Sequence, residues 1–140
     1  MLLKQHNYYQ VKITRHLLGH NFFKISAIFW TLLIIYLCLN DTPSLPIIPF
    51  ENIDKIIHFV FYFVFVFLWI MSLKHISLRY FFIVLFIALL LGISIEFLQE
   101  KYTKNRTFDW YDIVANALGA ITSFILVKSY HIIQNKNISH

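Results

Sequence analysis

Four stretches of almost continuous apolar residues run along the chain, separated by short polar segments. They cover residues 22–39, 56–73, 80–98 and 110–127, and none of them contains proline. A helix needs about 20 mostly apolar residues to cross the hydrocarbon core of a bilayer. Short connecting segments favour antiparallel neighbours. The pattern therefore predicts an all-α membrane protein with one domain, residues 22–127, that is a bundle of four transmembrane helices.

Composition supports this prediction and excludes a soluble domain. Apolar residues make up 59% of the 140 residues and charged residues only 14%, whereas about 25% of the residues of a soluble domain are charged. The surplus of apolar side chains has to face lipid. The net charge is +5, but no polar domain carries a basic stripe that would follow phosphates, so we expect no nucleic-acid partner.

The charged residues are divided unevenly between the two ends of the predicted bundle. One end has eight basic residues and no acid, namely Lys4, Lys12, Arg15, Lys24, Lys74, Arg79, Lys128 and Lys136. The other end has four basic residues and all seven acids. Since cytoplasmic loops are enriched in Lys and Arg, both termini are predicted to be cytoplasmic. The basic segment 1–21 is expected along the inner leaflet surface, and residues 128–140 form a cytoplasmic tail.

Polar residues are concentrated at the acidic end, where spans two and four begin and span three ends. We call this set the polar cluster: Asp54, Lys55, His58, Tyr62, Glu96, Gln99, Arg106, Asp109, Asp112, Asn116 and Gly119. Spacings of three and four residues place the members of each span on one helical face. Ionisable groups inside a membrane are rare and need partners or a wet cavity. The polar cluster is therefore predicted to form a pocket that opens outward.

Three segments of the polar cluster resemble the VanZ-like family of small bacterial membrane proteins. They read DKIIHFVFY from Asp54, EFLQ from Glu96 and RTFDWYDIVANALG from Arg106, in the order and helix placement of that family, over roughly residues 30–127. The second span departs from the family by being rich in Phe. The resemblance implies a multi-pass protein of the bacterial cytoplasmic (inner) membrane. It also implies a connection with teicoplanin, a lipoglycopeptide, because the founding member is linked to low-level resistance to it.

Three interpretations of the polar cluster remain open from the sequence. In the first, Lys55 and Arg106 bind anionic groups of an envelope lipid, a lipid-linked envelope precursor or a lipoglycopeptide. In the second, the charges only lock the helices together, with Arg106 paired to Asp109 or Glu96. Asp109 also has a local role in either case, since its side chain is predicted to cap the fourth helix by accepting from the N–H of Asp112.

The third interpretation is an enzyme embedded in the membrane. His58 would act as general base, Asp54 would orient it, and Glu96 would be the acid. No motif defines a reaction class, so a protein without enzymatic activity is favoured. A metal set of His58, Glu96, Asp109 and Asp112 is a weaker variant, because one His with carboxylates is not a typical zinc set. We therefore expect neither a metal nor another cofactor.

Overall fold

The computed structural model describes the backbone of residues 2–40, 53–73, 77–103 and 106–138, and the side chains of residues 19–40, 53–73, 77–103 and 106–130. Within these ranges the chain forms four α-helices and no strand. They are α1 (Leu2–Leu39), α2 (Ile53–Met71), α3 (Leu78–Tyr102) and α4 (Trp110–Ile138).

Each helix contains a segment long and apolar enough to cross a bilayer. These segments are Gly19–Leu39, Ile53–Met71, Leu78–Tyr102 and Trp110–Tyr130. Large apolar side chains cover the outside of the bundle, and Phe22 and Phe86 remain 66% and 62% exposed. So much exposed apolar surface fits lipid and not water. The predicted all-α architecture of four membrane-spanning helices is confirmed.

The first and last helices extend beyond the predicted spans. Helix α1 has 38 residues and is about 57 Å long at 1.5 Å per residue, against about 30 Å for the hydrocarbon core. Its backbone continues without a break through residues 2–21, which were predicted as a separate surface segment. Helix α4 likewise continues to Ile138, into the predicted tail.

Helices α2 and α4 form the most extensive interface of the bundle and run parallel, because Lys55 lies near Asp112 and Phe59 lies near Gly119. Helix α3 runs antiparallel to both. A Cβ at Gly119 would collide with the carbonyl oxygen of Phe59. The absence of a side chain at Gly119 thus permits the close approach of α2 and α4, as small residues do in membrane helix pairs.

Helix α1 packs on α2 and α3, and within the described residues it has no contact with α4. Two indole N–H groups join α1 to α2. Trp30 donates to the carbonyl of Phe61 at 3.0 Å, and Trp69 donates to Thr31 Oγ1 at 3.2 Å. These bonds satisfy polar groups that lipid could not satisfy and fix the position of α1 against the other helices.

Candidate functional site

The polar cluster lies at the end of the bundle where α2 and α4 begin and α1 and α3 end. Six of its side chains are almost completely buried, with 4% exposure or less: His58, Tyr62, Glu96, Gln99, Asp112 and Asn116. Burial of a polar group is costly unless it is hydrogen-bonded or paired. The contacts of these side chains with one another therefore decide what the cluster can do.

His58 lies at the centre of the polar cluster. Its Nδ1 is 3.1 Å from Asn116 Oδ1, and with the amide in this orientation Nδ1 is the donor, because an amide oxygen only accepts. Glu96 Oε1 is 3.9 Å from the same nitrogen. On the opposite side of the ring, Nε2 faces Asp112 Oδ2 at 3.8 Å and Asp54 Oδ1 at 4.0 Å. Side chains of α2, α3 and α4 thus surround this imidazole.

The two permanent cations of the polar cluster are already paired with carboxylates. Lys55 Nζ lies 2.7 Å from Asp109 Oδ2 and 3.3 Å from Asp112 Oδ1. Arg106 Nη1 lies 3.2 Å from Asp54 Oδ1. The predicted pairing of Arg106 with Asp109 or Glu96 is therefore wrong. Arg106 precedes α4 in a segment without helical periodicity, so its direction could not be read from spacing.

Asp109 caps the start of α4, although one bond differs from the prediction. Its Oδ1 accepts from the N–H of Tyr111 at 2.8 Å, whereas the N–H of Asp112 donates to the backbone carbonyl of Asp109 at 3.2 Å. The bond from Lys55, followed by the bond from Tyr111, holds the pKa of the Asp109 carboxyl below its usual value. The backbone N–H of Asp109 in turn donates to Glu96 Oε2 at 3.4 Å.

Two buried polar side chains pack directly against Gly92 on α3. A Cβ at Gly92 would come within 2.9 Å of Asn116 Nδ2 and 3.4 Å of Tyr62 Oη. Neither of these two atoms has a hydrogen-bond partner among the described residues, and the same holds for Glu96 Oε1. Sequence reasoning did not select Gly92. Its position one turn before Glu96, in a run of bulky apolar residues, is the signal that could have found it.

Gln99 is a buried member of the cluster whose hydrogen bond points away from His58. Its Nε2 donates to the carbonyl of Cys38 at 2.9 Å. That carbonyl lies in the last turn of α1, where it lacks a partner within the helix. Gln99 thus joins α3 to the end of α1. Its predicted role in a pocket stays a prediction.

Charge in the polar cluster is unbalanced. Four carboxylates, those of Asp54, Glu96, Asp109 and Asp112, surround two permanent cations, Lys55 and Arg106. With all four carboxylates ionised and His58 neutral, the excess is two negative charges (four minus two). An environment of this sign favours a positively charged or proton-donating group and disfavours an additional anion.

The arrangement also bears on the predicted metal set. One donor atom each from Asp54, His58 and Asp112 lies within 4.8 Å of the other two. Glu96 and Asp109, which the sequence suggested as ligands, do not belong to this group. Glu96 faces the other ring nitrogen of His58, and Asp109 is bound by Lys55. Asp54 takes their place because it lies one helical turn before His58.

Comparison with known proteins assigns the chain to a family. Residues 3–133 match the VanZ/LLP1 family. The chain belongs to the VanZ/LLP1 family. This match includes the whole polar cluster, so the resemblance read from the three segments is confirmed.

The chain is also similar to a fungal protein. The chain is 39% identical over 110 residues to an uncharacterized protein of the fungus Schizosaccharomyces pombe. The matched region covers 77% of this chain and 65% of that protein. No solved structure matches the chain at a significant level. The four apolar helices and the family match together support a multi-pass membrane protein.

Proposed function

We propose that the polar cluster binds the head group of a membrane lipid or lipid-linked molecule. One observation carries this proposal: Tyr62 Oη, Glu96 Oε1 and Asn116 Nδ2 are buried without hydrogen-bond partners among the described residues. Leaving a buried polar atom unsatisfied costs about 1–3 kcal/mol. A ligand whose polar groups reach these three atoms would remove that cost, and the polar cluster lies at the end of the bundle, at the depth of lipid head groups.

The chemistry of the bound head group follows from the charges around it. Lys55 and Arg106 are occupied by Asp109, Asp112 and Asp54, so they do not offer free charge to a phosphate. The carboxylate and phenol oxygens that remain suit ammonium and hydroxyl groups. The proposed ligand therefore carries an amine or several hydroxyls, which differs from the anionic ligand expected from the sequence.

An apolar cavity along the bundle supports a lipid in particular. It has a volume of about 660 Å³, within the range of ligand pockets, and lies between α2 and α4. Its lining residues are Phe63, Val64, Phe67, Leu68, Met71, Leu126, Val127 and Tyr130. Its lining on α2 starts at Phe63, the residue after Tyr62, and continues towards the opposite end of the bundle. The proposal places the head group at the polar cluster and an acyl chain along this apolar surface.

Native mass spectrometry of the detergent-solubilised protein tests the proposal. The protein is exposed to phosphatidylethanolamine, which carries an ammonium group, and separately to phosphatidylglycerol. We expect preferential retention of phosphatidylethanolamine by the wild type. Tyr62→Phe removes only the hydroxyl and should weaken retention about fivefold, the equivalent of roughly 1 kcal/mol for one hydrogen bond.

Ser123→Ala is the matched control. Ser123 Oγ is also buried without a partner among the described residues, but it lies two turns deeper in α4 than Asn116. Its removal should leave lipid retention unchanged. Equal retention by wild type and Tyr62→Phe, with no preference between the two lipids, would show that the polar cluster only joins the helices.

A link with glycopeptide susceptibility is a further part of the proposal. If the host membrane is the bacterial cytoplasmic membrane and the cluster faces outward, bound envelope lipid would be withdrawn from a lipoglycopeptide that acts there. Expression in a teicoplanin-sensitive bacterium should then raise the inhibitory concentration, and Tyr62→Phe should reverse the rise. An inhibitory concentration that does not respond to expression would remove this part and leave the lipid-binding proposal in place.

The enzymatic alternative receives less support from the geometry. Asp54 and Glu96 do approach His58, at 4.0 and 3.9 Å. However, Nδ1 is bonded to Asn116, and Nε2 faces two carboxylates. A general base needs a ring nitrogen within hydrogen-bond reach of its substrate. We therefore propose a binding protein in preference to an enzyme.

A further inference from the structure

The two sides of the His58 ring differ in a way that points to a cation. Asn116 Oδ1 fixes the proton on Nδ1, so the neutral imidazole has its lone pair on Nε2. This nitrogen is buried, since His58 is only 2% exposed, and it has no hydrogen bond from any residue in the described part of the chain. It faces Asp54 Oδ1 and Asp112 Oδ2. Three electron-pair donors thus converge with no proton between them.

We propose that Asp54, His58 and Asp112 bind a divalent transition-metal ion, with Zn²⁺ as the representative case. Nε2 lies 4.0 Å from the Asp54 oxygen and 3.8 Å from the Asp112 oxygen. Two ligands at about 2.1 Å from one zinc ion are at most about 4.2 Å apart. Both distances therefore allow a shared ion.

The third distance requires only a small adjustment. All three donor atoms lie within 4.8 Å of one another. The Asp54 side chain is 39% exposed and is paired with Arg106, itself 43% exposed, so an adjustment of a few tenths of an ångström would move these two side chains together. Asp112 is buried and His58 is held by Asn116, so these two ligands are already fixed. Three protein ligands leave a fourth position open for water or a ligand, as in catalytic and exchangeable zinc sites.

The groups behind the three ligands match the usual outer shell of a metal site. A metal-bound His normally donates its other N–H to an oxygen, and its carboxylate partners are hydrogen-bonded in turn. Here His58 donates to Asn116 Oδ1. Asp112 presents its other oxygen to Lys55. Arg106 Nη1 donates to both oxygens of Asp54, at 3.2 Å to the Oδ1 that faces His58 and at 3.4 Å to Oδ2. His58 and Asp112 are thus oriented with their inner atoms available, whereas a metal ion would share Asp54 with Arg106.

The charges of the polar cluster agree with a bound cation. The polar cluster has an excess of two negative charges when its four carboxylates are ionised and His58 is neutral. A divalent ion removes this excess. The site goes beyond the proposed lipid binding and does not depend on it, because its three ligands are different atoms from the three unpartnered atoms that the lipid would satisfy.

Isothermal titration of the detergent-solubilised, chelator-treated full chain with ZnCl₂ tests the site. We expect the wild type to bind one Zn²⁺ more per chain than Asp54→Asn or Asp112→Asn. Asn116→Leu removes none of the three proposed ligands but takes away the oxygen that orients His58, and it should weaken affinity about 10- to 100-fold. The matched control is Glu100→Gln, an exposed carboxylate on α3 near the same end, which should bind as the wild type does.

Cobalt spectroscopy separates metal binding from a loss of folding. His58→Cys replaces the nitrogen ligand by a thiolate, and Co²⁺ in this variant should give an intense sulfur-to-metal absorption band that the wild type lacks. Asp54→Asn changes a half-exposed side chain and is expected to fold, so its lower stoichiometry would be a direct result. Equal zinc stoichiometry and affinity in wild type, Asp54→Asn and Asp112→Asn, with no new cobalt band, would overturn the proposal and leave the three side chains as contacts between α2 and α4.

Discussion

Asn116 determines how His58 is presented to its neighbours. Its Oδ1 accepts from His58 Nδ1 in a place that water does not reach, since the two side chains are 1% and 2% exposed. Asn116→Leu keeps the approximate volume but leaves the imidazole N–H unpaired, which should cost about 1–3 kcal/mol. The expected result is a lower thermal unfolding midpoint in detergent.

Ser123→Ala provides the comparison for this change on the same helix. Ser123 is completely buried, but its hydroxyl has no partner among the described residues, so its removal should not lower the midpoint. An Asn116→Leu protein as stable as Ser123→Ala would show that the bond between Asn116 and His58 contributes nothing to stability.

The charge of Asp109 makes stability depend on pH in one direction. Lys55 and the N–H of Tyr111 lower the pKa of Asp109 in the folded protein, so the ionised carboxylate stabilises the fold. This contribution is complete above the unfolded pKa of about 3.9 and is lost as the pH falls through the lower folded value. The difference in unfolding midpoint between wild type and Asp109→Asn should therefore be constant near neutrality and shrink in acid.

The effect of Asp109 should be small, because its side chain is 33% exposed and exposed ion pairs contribute little. The measurement is a series of thermal scans in a detergent that does not titrate. Lys55→Met should show the same convergence with the wild type in acid, since it removes the cation of the same pair. A difference that grows as the pH falls would contradict the assigned sign.

For individual residues, the sequence predicts the helical face and the depth in the bundle, but it does not predict which side chains form ion pairs or hydrogen bonds. Helical spacing puts Lys55 and His58 on one face of α2, and the antiparallel passage of α3 and α4 puts Glu96 and Asp112 at the same depth. Pairing depends on the rotation of each helix and on side-chain reach, which spacing does not determine. Arg106 lies outside any helix, and its partner Asp54 was found only in the structure.

Among the elements, the contact between α2 and α4 depends most on a single position. A Cβ at Gly119 would collide with the backbone carbonyl of Phe59 and approach Phe63 N to 3.1 Å, and backbone atoms cannot move aside as a flexible side chain can. Gly119→Ala should therefore separate the two helices and destabilise the protein by about 1–3 kcal/mol. The thermal midpoint in detergent measures this loss.

Gly19→Ala is the matched control for the helix contact. Gly19 lies in α1, where a Cβ would meet no heavy atom of the described residues within 4 Å, and Ala favours a helix by up to about 1 kcal/mol over Gly. This variant should be as stable as the wild type or more so. If Gly119→Ala behaved in the same way, the close approach of α2 and α4 would not matter for stability.

The helix that packs against Gly119 could not be predicted from the sequence. Gly119 and Ser123 are four residues apart on α4, and such small-residue pairs are typical of close helix contacts in membranes. Hydropathy and loop length identify consecutive antiparallel helices, but the closest neighbour is α2, which is parallel and not consecutive. The spacing of apolar and small residues in one helix does not identify which non-consecutive helix packs against it. The contact between α2 and α4 was therefore known only from the structure.

For the whole molecule, the direction of insertion decides which compartment the polar cluster faces. The basic end carries eight Lys and Arg residues without an acid, and such ends remain cytoplasmic. Single cysteines test this in a Cys38→Ala background expressed in bacteria, by labelling intact cells with a membrane-impermeant maleimide. Lys101→Cys, exposed in the last turn of α3 near the cluster, should be labelled, whereas Lys128→Cys, exposed towards the end of α4, should react only after permeabilisation.

Wild-type protein is the internal control, because Cys38 is only 6% exposed and should react at neither stage. Labelling of Lys128→Cys in intact cells, with protection of Lys101→Cys, would place the polar cluster on the cytoplasmic side. In that case lipid and metal binding would remain testable with the purified protein, since both rest on contacts within the bundle. A direct effect on an antibiotic outside the cell would lose its basis, because the head group would be bound in the other leaflet.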